Sequence, residues 1–222
     1  MNPSQHLETL SEIRSLMERS SRFISLSGLS GVVAGIAALL GAAMVYVYLG
    51  VSPLDQAEPY YVLATDVDKW GMDYITFFLA DAIGVIILAV SFGVFFTTRK
   101  AKRKGQKIWD PLSRRLLISL AIPLIAGGLF CLALIKNGLV GLVAPATLIF
   151  YGLALVNASK YTLHDVHYLG LCEIGLGVIA SFWQGYGLEF WAIGFGFLHI
   201  IYGVWMYYKY EAGDRKTLDV EP

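Results

Sequence analysis

YITFFLADAIGVIILAVSFGVFFTTRKAKRKGQK, residues 74–107, decides the fold. From Tyr74 to Thr97 the chain is apolar apart from Asp81, and from Arg99 to Lys107 it is dominated by Lys and Arg. A bilayer core of about 30 Å takes about 20 apolar residues as a helix. In hydrocarbon such a continuous run must satisfy its own backbone, which a helix does. A barrel strand would instead alternate apolar and polar residues.

Five more stretches read the same way. The expected spans are Phe23–Leu49, Tyr74–Thr97, Leu116–Ile135, Leu139–Asn157, Val166–Gln184 and Phe190–Tyr208. Apolar residues are 56% of the 222 and charged residues only 15%, against roughly 25% charged in a soluble domain. The expected fold class is all-α: a polytopic membrane protein of six transmembrane helices. Residues 1–22 form a cytoplasmic or interfacial segment, 23–208 the membrane domain and 209–222 a cytoplasmic tail.

The basic residues orient it. With the N-terminus inside, fifteen Lys and Arg fall in inside segments and two, Lys69 and Lys136, outside. That agrees with the positive-inside rule, and six spans return the C-terminus to the cytoplasm. The polar first 22 residues lack an apolar core ahead of a cleavage site, so the first span is expected to act as the insertion signal. These features fit the inner (plasma) membrane of a prokaryote. Aromatic residues cluster at both expected faces, among them Tyr48, Tyr60, Trp70 and Trp183 outside and Trp109, Trp205 and Tyr208 inside. They read as interfacial anchors.

Residues 4–22 place Leu7, Leu10, Ile13, Leu16 and Met17 on one side of a helical wheel. This predicts an amphipathic helix in the interface, or one that docks a cytoplasmic protein partner. The first span repeats small residues at Ser27, Gly31 and Gly35. Small residues let membrane helices approach closely, so this face is expected either within the bundle or at the interface of a homo-oligomer. Arg19 and Arg22, with Arg99, Lys100, Lys102, Arg103 and Lys104, are the expected contacts to anionic lipid headgroups, each charge adding about 1 kcal/mol near the surface. Nothing base-reading is interleaved with them, so no nucleic acid is expected to bind.

MERSSRFISLSGLSG, residues 17–31, resembles the start of an uncharacterised family of six-span bacterial inner-membrane proteins. The resemblance implies the architecture and carries over no catalytic residue. Proximity of such relatives to small winged-helix regulators implies a signalling role.

Function narrows to three ionisable residues inside apolar runs: Asp81, Glu173 and His199. A charge at membrane depth is expensive and normally faces the bundle interior with a partner or a purpose. At 1.5 Å rise per residue, Glu173 lies roughly 10 Å and His199 roughly 13 Å from the inside surface, while Asp81 lies roughly 10 Å from the outside. The fifth and sixth spans are consecutive and antiparallel, so Glu173 and His199 share a depth and are expected to pair. With Asp81 they would form a polar path for a small solute, an ion or a proton. The blander expectation is an interhelical polar contact worth about 0.6 kcal/mol.

His164 and His167, at a spacing that shares a helix face, are the best-placed metal ligands, but a closed zinc site takes four. The lone membrane cysteines Cys131 and Cys172 form no CxxC pair. No cofactor is expected. No nucleophile–base pair or phosphate loop is present, which argues against an intramembrane enzyme. Pro123 and Pro145 fall in the third and fourth spans, where proline frees backbone carbonyls. Two classes remain: a small-solute or ion transporter, and a membrane sensor acting through a cytoplasmic partner.

Overall fold

The computed structural model describes residues 27–54, 59–63, 68–103 and 109–211. Among them are six helices long and apolar enough to cross a membrane. They are α1 (Gly28–Leu49), α2 (Tyr74–Arg103), α3 (Pro111–Lys136), α4 (Val143–Ala158), α5 (Asp165–Phe182) and the compound α6 (Gln184–Tyr210). Turns of 3-10 helix flank α4 at Val140–Leu142 and Ser159–Tyr161. α6 runs from a 3-10 turn (Gln184–Tyr186) through α-helix (Gly187–Trp191) and π-helix (Ala192–Leu198) back to α-helix (His199–Tyr210). The expected amphipathic helix, Arg19, Arg22 and Lys104 lie outside the described residues.

Contacts at the helix ends give the topology. Glu211, just past α6, accepts from the Gly28 N–H at 2.7 Å and the Ser27 hydroxyl at 3.3 Å, and pairs with Lys100 Nζ at 3.2 Å. Asp165, opening α5, accepts from Lys209 and Tyr210 at the end of α6. Asn157, near the end of α4, donates to Ser119 near the start of α3 at 2.8 Å. So the starts of α1, α3 and α5 meet the ends of α2, α4 and α6 at one face, as an up-and-down bundle of antiparallel neighbours requires. Glu211 also supplies the anion that the exposed N–H groups of an α1 N-terminus attract.

Lys100 was expected to touch lipid headgroups. It is buried against Glu211 instead, because α2 runs past Thr97 to Arg103 and carries this side chain over the inner end of α1. Arg99, Lys102 and Arg103 are exposed on the same segment.

Small residues set the packing. The Ser27/Gly31/Gly35 face lies on α6: a side chain at Gly31 would meet the Gly203 backbone, and one at Gly35 the Gly196 carbonyl. The row is therefore packed on α6 inside the chain. α4 and α5 cross at Gly152 and Gly170, whose added side chains would each strike the other's carbonyl oxygen. Gly177 sits equally close to Pro145 and Ile149. Close backbone approach of this kind holds membrane helices together where lipid removes the hydrophobic force between them.

The two prolines behave differently. Pro123 is inside α3. Its missing N–H frees the carbonyl four residues back, that of Ser119, and Asn157 of α4 takes that acceptor. Pro145 is in the first turn of α4, where an N–H has no intrahelical partner to lose, so it interrupts nothing.

At the opposite face a tight hairpin caps α1. Strands β1 (Asp68–Lys69) and β2 (Met72–Asp73) pair antiparallel around Trp70 and Gly71, with φ 61° and 70°. Positive φ at both central residues is the type I′ turn that suits strand twist. The hairpin is held by Tyr48, whose hydroxyl donates to the Met72 carbonyl at 2.7 Å and whose ring stacks 3.9 Å from that of Phe77. Lys69 Nζ donates to the Val47 carbonyl at 2.8 Å. Tyr48 and Tyr60 are thus core residues and not interfacial anchors, whereas Trp70, Trp109, Trp183, Trp205 and Tyr208 are exposed.

Candidate functional site

Glu173 and His199 meet. α5 brings Glu173 to the bundle centre with no exposed surface, and His199 Nδ1 of α6 lies 3.4 Å from its Oε1. The same Nδ1 is 2.9 Å from the Gly194 carbonyl, and Nε2 is 2.8 Å from the Tyr151 hydroxyl of α4. With Nδ1–H donating to Gly194, Nε2 is the acceptor for the Tyr151 hydroxyl. The imidazole is thereby fixed between two helices in one tautomer.

The π-helical stretch makes this geometry. Its wider turn brings the carbonyl of Gly194 under the ring of His199, five residues on. π-Segments of one turn recur at functional sites because they re-aim side chains within an otherwise regular helix. Gly194 has a second task. A side chain there would overlap Glu173 Oε2 and Leu148 Cδ2, so its absence makes the space that the carboxyl fills.

The carboxyl itself is poorly served. Neither Oε1 nor Oε2 of Glu173 has a hydrogen-bond partner among the described residues. A buried polar group without a partner costs about 1–3 kcal/mol, and more if charged.

Asp81 is elsewhere. Its carboxylate lies over Gly41 of α1, and it lines a cavity of about 180 Å³ with residues of α1, α2, α4 and α6. Trp191 lines the same cavity. Its ring is 5.0 Å from Phe195, which in turn lies 4.9 Å from Tyr151 and stacks 6.0 Å from His199. The three expected residues therefore form two sites, with the rings of Trp191 and Phe195 between them. No hydrogen bond or ion pair among the described residues joins Asp81 to the Glu173–His199 pair.

His164 and His167 stack, ring centroids 5.8 Å apart at 6°. No group of three or more His, Cys, Asp or Glu able to hold a metal exists among the described residues. His167 Nδ1 is 3.4 Å from the Ser159 hydroxyl, a local contact at the inner helix ends. Tyr151, Gly194 and the π-turn escaped the sequence reading. The one available hint in the sequence is the pair Gly194 and Gly196, five and three residues before His199.

No family model, no curated protein and no solved structure matches the chain. Its six long apolar helices give it the general character of a multi-pass helical membrane protein.

Proposed function

We propose that the chain is a multi-pass protein of a prokaryotic inner membrane, both termini cytoplasmic, that binds and moves a small solute or ion with proton exchange at Glu173 and His199. One observation carries this reading: a wholly buried carboxyl with two bare oxygens, 3.4 Å from an imidazole. Ionisable residues at this depth in a helix bundle serve proton relays and substrate pathways far more readily than stability. The Tyr151 hydroxyl extends the pair toward α4. The inward orientation rests on Arg99, Lys102, Arg103, Lys160 and Lys209 standing at the face where Glu211 ties the helix ends, as positive-inside sorting requires.

Proteoliposomes enclosing a pH-sensitive dye test it. Under an imposed potassium diffusion potential, the wild type is expected to acidify or alkalinise the lumen well above the protein-free leak, and Glu173→Gln to return it to that leak. Equal flux in wild type and variant, or none in either, would sink the reading.

A second reading is favoured by the Glu211 contacts. One side chain joins the inner ends of α1, α2 and α6, and a cytoplasmic protein bound there could sense their separation. This sensor reading predicts a complex captured through the inner face and indifferent to Glu173→Gln.

A further inference from the structure

Asp81 lines its cavity among apolar neighbours. The wall is aromatic at Tyr60, Tyr74, Phe78 and Trp191, and Asp81 is its single charged residue. No hydrogen-bond donor or cation among the described residues pairs with the Asp81 carboxylate: Lys69 donates to the Val47 carbonyl, and Lys100 is held by Glu211. The cavity also opens sideways. Leu79 and Ala82 of α2 line it and are exposed on the surface that faces lipid, because α2 packs chiefly along α1 and stands away from α4.

Size, lining and charge define an occupant. At about 180 Å³ the cavity exceeds the roughly 150 Å³ apolar cavity that accepts benzene. It holds one ring with a short chain. Aromatic faces attract an ammonium group electrostatically, the more so when water is excluded. A carboxylate at membrane depth that lacks a protein partner is matched by a cation brought by the ligand. We propose that this cavity binds a small amphiphilic amine, its apolar body against Phe78 and Trp191 and its ammonium on Asp81. The lateral opening admits such a molecule from the outer leaflet, where amphiphilic cations partition.

This names the substrate class of the solute-binding reading above and rests on it. The site differs from the Glu173–His199 pair, which lies behind Phe195, so the two can fail separately.

The test is calorimetric titration of the protein in nanodiscs with 2-phenylethylammonium, beside neutral 2-phenylethanol and anionic 3-phenylpropanoate. The cation is expected to bind at least tenfold more tightly than the alcohol, and the anion not measurably. Asp81→Asn should weaken the cation at least tenfold and leave the alcohol unchanged. Asp81→Glu should retain the cation, which separates loss of charge from loss of fold. Glu173→Gln should also retain it. Equal affinity for cation and alcohol, full cation affinity in Asp81→Asn, or a cavity holding only a lipid acyl chain that no probe displaces would each overturn the proposal. Asp81-dependent binding without proton flux would remove the transport reading and keep the site. Glu173-dependent flux with cation binding indifferent to Asp81 would do the reverse.

Discussion

Glu173 and Asp81 look alike in sequence, each a lone carboxylate in an apolar run, yet they occupy opposite kinds of surroundings. α5 is pressed onto α4 through Gly152, Gly170 and Gly177, and Glu173 has no exposed surface. α2 has few buried positions, with Phe77, Lys100 and Ala101 the fully buried ones, and Asp81 borders an open cavity. Packing density and not residue type decides the difference. Where backbones touch, a carboxyl is locked to one geometry. Where a helix stands apart, a carboxyl faces whatever enters.

The largest effect that would break this contrast is a failure of the glycine contacts. Gly203→Leu puts a side chain into the Val32 and Gly28 backbones and is expected to cost about 3 kcal/mol, the upper end for overpacking. Thermal unfolding in detergent reads it. Gly84→Ala on α2, where nothing lies within 4 Å, should cost no stability and gain up to about 1 kcal/mol from helix propensity. Similar losses at both positions would erase the distinction between packed and peripheral helices.

Next is the space around Glu173. Gly194→Ala drives a methyl onto Oε2 and should cost about 2 kcal/mol. Removing the obstructing carboxyl in Gly194→Ala/Glu173→Ala should cost less than the two single changes summed, by about 1 kcal/mol of coupling. Strict additivity in a double-mutant cycle would mean that Gly194 makes no room for Glu173.

The peripheral helix α3 depends on local chemistry. Asp110 caps it, accepting from the Ser113 hydroxyl and N–H, both at 2.6 Å, and these bonds hold its carboxyl below the usual carboxylate range. Asp110→Ala should cost about 1 kcal/mol. Because the folded value is depressed, the cap stabilises fully above the ordinary aspartate value near 4 and is lost as pH falls through the lower folded one. The penalty of Asp110→Ala measured at pH 7 should therefore shrink in acid. A penalty that stays constant down to strongly acidic pH would refute the cap.

The smallest expected effect is Asp81→Asn. With no partner to lose, its unfolding midpoint should match the wild type within about 0.5 kcal/mol, even where cation binding is abolished. A large loss of stability would show a structural bond that ties α2 to the bundle.

The sequence carried most of the architecture. Continuous apolar length alone located six spans, and their alternating direction put Glu173 and His199 at one depth. The boundaries moved where helices outrun the bilayer: α2 continues to Arg103 and α3 starts at Pro111, since long basic side chains and an N-cap extend a helix into water. The sequence could not say which way Asp81 faces. A helix apolar on every side has no periodicity to mark its inner face, so equal depth distinguished pairing from separation for neighbouring α5 and α6 only. Tyr151 was hidden for the same reason, and the π-turn has no residue signature of its own.

The contact between Gly28 and Glu211 joins residues 183 positions apart. It therefore closes the bundle between α1 and α6, which leave the ribosome far apart in time. At about 5–20 residues per second, α1 waits roughly ten to forty seconds in the membrane before its glycine face finds α6. During that interval its row of small residues is open to any other helix, so assembly order is built into where the seam of the bundle falls.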